Sequence, residues 1–123
     1  MKELMKLYNE YARHEFNPPS SGAGDIATFA RRFDKALRKD CEASGFDVLS
    51  VDYDGDMEIS AFLRNCTTGL LAHIKIFSMS GYASYPLERV RYEQVENVDD
   101  VGSGEWHVCW LTRVIDNVKM LTD

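Results

Sequence analysis

The spacing of apolar positions changes period along this chain, and each change marks an element. From Lys2 to Glu15, the residues Leu4, Leu7, Tyr8, Tyr11 and Ala12 recur at helical intervals and make one apolar face. Asn17-Pro18-Pro19 ends this helix, because a residue before proline is pushed out of the helical region. Ser20-Ser21-Gly22-Ala23-Gly24 reads as a flexible connector, and Asp25 is a natural N-cap for a second helix. Ile26, Phe29, Ala30, Phe33, Ala36, Leu37 and Cys41 form that helix's buried stripe as far as about Ser44. Gly45 stands where a left-handed C-terminal cap belongs, and Phe46 follows at the position that packs back onto the last turn. Two antiparallel helices are the simplest arrangement, with Arg31, Arg32, Lys35, Arg38 and Lys39 as a solvated basic surface.

From Phe46 to Met79 the period falls to two. Leu49, Val51 and Tyr53 share one parity, then Met57, Ile59, Ala61 and Leu63, then Ala72, Ile74 and Ile76. This predicts an antiparallel meander with one face covered by helices. A two-residue Asp54-Gly55 turn would set Ser50 opposite Ile59 and Asp52 opposite Met57. A three-residue loop, Asp54-Gly55-Asp56, instead aligns Tyr53 with Met57 and Val51 with Ile59, and burial favours this odd length. Leu49, Val51, Ile59, Ala61, Ile74 and Ile76 are then expected to face the helices. Asn65 to Gly69 closes the second hairpin; Asn65-Cys66-Thr67 fits a glycosylation acceptor, but by chance. Arg89 to Val95 alternates weakly and reads as a fourth strand, with a helix from Pro86 as the alternative. After an acidic loop, Ser103 can cap a last helix from about Glu105 to Leu121, with Val108, Leu111, Val114, Ile115, Val118 and Leu121 inward. Trp106 and Trp110 would lie one turn apart at its edge. The expected fold is a single α+β domain spanning 1–123, in two layers: an N-terminal helical hairpin, a four-stranded antiparallel sheet and a C-terminal helix.

Charge sharpens the picture. The 123 residues carry a net charge of −6, which argues against direct binding to nucleic acid or to an anionic membrane. The acidity is uneven: residues 1–46 are net +1 and residues 47–123 net −7. Asp52, Asp54, Asp56 and Glu58 share a parity, so in extended strands they project alike at roughly 6–7 Å intervals and can imitate successive phosphates. Glu93, Glu96, Asp99, Asp100 and Glu105 could extend that row. On the sheet face away from the core, Phe62, Leu71 and Phe77, with Trp106 and Trp110, leave apolar surface without an obvious cover. Apolar surface beside charge marks a partner surface, a homodimer included.

Candidate chemistry is sparse. Asp52 to Ser60 resembles the start of an EF-hand loop, but Met57 replaces the tight-turn glycine and Leu63 replaces the closing glutamate, so no metal is expected. His14, His73 and His107 show no metal-ligand spacing, and His73 shares a parity with Lys75, as on a solvated or partly covered face. Cys41 falls on a buried stripe, whereas Cys109 lies opposite the last helix's apolar stripe as the one plausible exposed thiol. No catalytic residue and no cofactor are assigned. Three scattered cysteines, the lack of an apolar leader and the lack of a membrane-length run predict a reduced, cytoplasmic protein.

In size, acidity and absence of catalytic motif, the chain resembles the phage and mobile-element inhibitors called anti-CRISPR proteins. That resemblance implies a non-enzymatic inhibitor that occupies the basic nucleic-acid-binding surface of a partner such as a CRISPR effector nuclease. The residues expected to meet that partner are Asp52, Asp54, Asp56, Glu58, Glu96, Asp99, Asp100, Trp106 and Trp110. One alternative is a dimeric protein similar to secretion chaperones, which bind an extended client. The other is an enzyme or metal-binding protein that uses the acidic hairpin or Cys109.

Overall fold

The computed structural model describes residues 2–12, 25–53, 58–76, 86–99 and 105–123. Helix α1 spans Lys2–Tyr11 and α2 spans Asp25–Ser44. Five strands follow: β1 Phe46–Tyr53, β2 Ile59–Asn65, β3 Leu71–Ile76, β4 Val90–Val95 and β5 His107–Cys109. Helix α3, Val114–Thr122, closes the chain. The sheet is an antiparallel meander in the order β1-β2-β3-β4-β5, so the α+β reading holds with one strand more than the apolar spacing predicts.

Both N-terminal helices present the faces their spacing predicts. Leu4 and Leu7 of α1, and Ile26, Phe29, Phe33, Leu37 and Cys41 of α2, are buried in one core. They run antiparallel: Tyr11 packs edge-on to Phe29, while the opposite end of α1 meets Asp40. That carboxylate is buried, and its two oxygens accept the backbone N–H groups of Glu3 (3.1 Å) and Leu4 (2.8 Å). A negative side chain from α2 thus satisfies donors that α1 leaves open at its positive end. Gly45 adopts φ +84°, the left-handed cap that lets the chain turn from α2 into β1. The proline stop, the Ser20–Gly24 connector and His14 lie outside the described residues, and so does the expected end of α1 near Glu15.

The first hairpin keeps the expected parity but not the expected length. Tyr53 pairs with Ile59 and Val51 with Ala61, each two residues beyond the expected partner, Met57 or Ile59. Ile59, Ala61, Leu63, Ala72, Ile74 and Ile76 all enter the core, and Val51 packs against it. Leu49 does not. The register slips between Val48 and Ser50, and this bulge turns Leu49 out, 41% exposed, while Val48 takes the inward place. The second hairpin is held by Asn65, which is buried. Its Oδ1 accepts the N–H groups of Thr67 (2.9 Å) and Thr68 (3.3 Å), and its Nδ2 donates to Thr122 Oγ1 (3.1 Å). Such an asparagine pins α3 to the turn and is no acceptor for a glycan.

Residues 90–95 form a strand, entered through one 3-10 turn at Pro86–Glu88. The largest departure comes at the last helix. Glu105 to Trp110 does not begin it; His107–Cys109 is the fifth strand, and a 3-10 turn at Leu111–Arg113 leads into α3. The segment Trp106-His107-Val108-Cys109-Trp110 is aromatic and β-branched and alternates, which suits an extended edge as well as a helix. Val108, placed inward by helical spacing, is 58% exposed, whereas Leu111, Val114, Ile115 and Val118 are buried as expected.

Candidate functional site

The pairing registers define the sheet face opposite the helices. One row crosses it as Ser50, Phe62, His73 and Glu93, each opposite the next on the neighbouring strand. Trp106 lies one step beyond the β4–β5 pairing of Tyr92 with His107, opposite Glu93. Phe62 stacks on His73 with ring centroids 4.4 Å apart, and Trp106 reaches the same imidazole at 5.5 Å. The row is therefore closed rather than solvated: Phe62, His73 and Glu93 are all buried. His73 Nδ1 has no hydrogen bond among the described residues. Burial, assisted by the charge of Lys75, holds the His73 pKa down to about 4, so the imidazole is neutral at physiological pH. Parity alone had placed His73 on a solvated or partly covered face and Glu93 in an acidic loop group. No signal in the sequence marks either as buried, because the cover comes from Phe62 on one neighbouring strand and Trp106 on the chain entering β5.

The adjacent row reads Asp52, Ser60, Lys75, Arg91 and Val108. Glu58 pairs with Lys75 at 3.2 Å, so one member of the expected acidic row already has a cation. Asp52 is exposed, and Asp54 and Asp56 lie outside the described residues, as do Asp100 and Phe77.

The second acidic group does not continue the first. Leu71 pairs with both Arg64 and Val95, so the loop after β4 leaves the sheet beside the β2–β3 turn, whereas Asp52 and Glu58 flank the β1–β2 end. Five residue steps of β3 separate those ends, roughly 17 Å of extended chain. At the far pole, Glu96, Asp99 and Glu105 are exposed, and none is ion-paired among the described residues. Asp123 joins them, because Thr68 Oγ1 donates to the Thr122 carbonyl (2.7 Å) and brings the end of α3 to the same turn. These four carboxylates lie toward one end of the sheet, and among the described residues none is ion-paired with a lysine or arginine; Arg64 at that end pairs with Asp47. The hairpin end, by contrast, faces Lys75 and Arg91.

The two tryptophans part company. Instead of sharing a helix edge, they flank β5: Trp106 is half-buried over His73, and Trp110 is half-exposed and stacks on Tyr8 of α1 at 5.7 Å. Tyr8 in turn donates from its hydroxyl to Glu88 (3.1 Å). Cysteine exposure also differs from expectation. Cys109 is half-buried against the core because β5 turns it toward Val90, and burial raises its pKa to about 11. Cys41 is fully buried and raised to about 12, as its helical stripe implies, and Cys66 is the exposed thiol. No group of three metal-ligating side chains occurs among the described residues. No described helix is long and apolar enough to cross a membrane. Neither a family model, nor a curated protein, nor a solved structure matches this chain.

Proposed function

We propose that this protein is a binding module whose acidic pole docks on the basic nucleic-acid-binding surface of a protein partner and excludes nucleic acid from it. A CRISPR effector nuclease is the partner class that the anti-CRISPR resemblance favours. The observation that supports this reading is the collection of Glu96, Asp99, Glu105 and Asp123 at one end of the sheet, exposed and without a paired cation among the described residues. Carboxylates without an internal cation are available to arginine and lysine, and close interfacial charge pairs couple at roughly 1.5–7 kcal/mol. Asp52 and its hairpin are secondary in this reading, because Lys75 already pairs with Glu58 there.

The test is displacement of DNA from a panel of purified guide-loaded CRISPR effector nucleases. The wild-type protein displaces DNA from a susceptible nuclease, less well as salt rises. The variant Glu96→Gln/Asp99→Asn/Glu105→Gln loses displacement, while Asp52→Asn retains it. Equal displacement by the triple variant removes the acidic pole from the mechanism. No displacement from any member of the panel removes the nuclease as partner class.

A further inference from the structure

The two edges of the sheet are guarded differently. β1 carries a bulge at Val48–Ser50 and exposed Asp47 and Asp52, devices that keep a second chain from pairing with it. β5 has neither. It pairs on one side with β4, holds no charged residue or proline in His107-Val108-Cys109, and ends the sheet among the described residues. At its centre Val108 is 58% exposed, and Trp110 immediately after it is 50% exposed. Trp110 also lines a mixed cleft of about 590 Å³, in which Met5 and Tyr8 of α1 are the apolar neighbours and Asn9, Thr112, Arg113 and Asp116 the polar ones. A bare, apolar edge strand is a template for another strand.

We propose that a second copy of this chain occupies the edge, β5 against β5, on a two-fold axis through Val108. It does not rest on the acidic-pole reading, but it engages Glu105, one of that pole's four carboxylates, and leaves Glu96, Asp99 and Asp123 to it. Two-fold pairing requires that each contact be matched by its own mirror contact, and β5 is built that way. Centred on Val108, the antiparallel register sets Val108 against itself, His107 against Cys109, and Trp106 against Trp110. Charge agrees with this direction. Antiparallel pairing carries exposed Glu105 of one copy toward the end of the other copy's strand, where exposed Arg113 follows, and symmetry makes the pairing twice. A parallel arrangement would bring Glu105 to Glu105. The axis, perpendicular to the sheet, leaves the helical layers of both copies on the same side and extends five strands to a continuous ten.

Sedimentation velocity of the full chain over a dilution series tests the proposal. The wild-type chain is a reversible dimer. Val108→Lys, at an exposed site, sediments as a monomer at every concentration while its circular dichroism stays that of the wild type and its melting midpoint matches that of the wild type diluted to monomer. Val108→Thr keeps the dimer. Glu105→Arg weakens it and Glu105→Arg/Arg113→Glu restores it, an outcome that a folding defect does not produce. In a Cys66→Ser background, Val108→Cys chains exposed to dissolved oxygen form a disulfide-linked dimer that the background alone does not, which reports the axis. A wild-type monomer throughout, or a dimer indifferent to Val108→Lys, overturns the proposal. A dimer unaffected by the charge pair and not linked through Val108→Cys overturns the register.

Discussion

On the helix-facing side of the sheet, Ile59, Ala61, Leu63, Ala72, Ile74 and Ile76 pack as hydrocarbon against α1, α2 and α3. On the other side, alternate residues of the same strands present Phe62, His73, Glu93, Lys75 and Arg91. Both sides bury side chains, but by different physics. The helical side gains from every methylene removed from water, and its one buried carboxylate, Asp40, is satisfied by the N-terminus of α1. The other side buries an imidazole against aromatic rings and a carboxyl group on the neighbouring strand, where desolvation opposes burial. The difference teaches that the helical layer supplies stability, while the opposite face holds polar groups at a cost that hydrophobic packing must offset.

The comparison breaks most readily at β3, where neighbours in sequence point to opposite faces. Ile74→Ala should destabilise the protein by about 2–5 kcal/mol in urea unfolding, the cost of lost transfer energy plus a cavity. A loss below about 1 kcal/mol would mean that the helical side is not the main source of stability.

His73 next door tests the opposite face through pH. Its pKa is about 4 in the folded protein against 6.5 ordinarily, so between those values the unfolded chain binds a proton that the folded chain does not. Stability from this group is therefore complete above the ordinary value, falls as pH drops toward the folded value, and levels off below it. The full change is roughly 3 kcal/mol. His73→Phe should remove that share of the acid sensitivity and cost little near neutrality, since it also removes a nitrogen without a hydrogen bond. Parallel stability profiles for wild type and variant from neutral pH to pH 4 check this; identical slopes would mean the imidazole is solvated.

The smallest expected effect is at Asp40. Asp40→Ala leaves the Glu3 and Leu4 N–H groups without their acceptor and should cost about 1–3 kcal/mol. Amide hydrogen exchange should show α1 opening ahead of the sheet. Uniform loss of protection in α1 and the sheet would mean that α1 and the sheet unfold as one unit.

Much of this architecture was legible along the chain. The bounds of α2, its glycine cap and its inward stripe follow from local rules, and so does the inward parity of Ile59, Ala61, Ile74 and Ile76. Those rules act through residues a few positions apart, so one sequence suffices to read them. They failed where two local patterns competed. Glu105 to Trp110 satisfies helical spacing and alternation alike, and pairing with Val90, Arg91 and Tyr92 decides for the strand. Leu49 alternates correctly, but a bulge, which only the opposing strand can reveal, turns it outward.

Outside Glu105 to Trp110, local pattern determined which segments are helical and which extended, and, Leu49 aside, which strand residues share a face. Tertiary structure decided what each face meets. It buried Glu93, and it buried His73 against Phe62 and Trp106, and it put the carboxylates of the hairpin and of the later loop at opposite ends of the sheet. It also exchanged the exposures expected for Cys109 and Val108, because a strand alternates where a helix would have turned. The physical reason is the same each time. Period is a property of one backbone segment, whereas burial and charge clustering depend on neighbours brought in by hydrogen bonds between residues far apart in sequence.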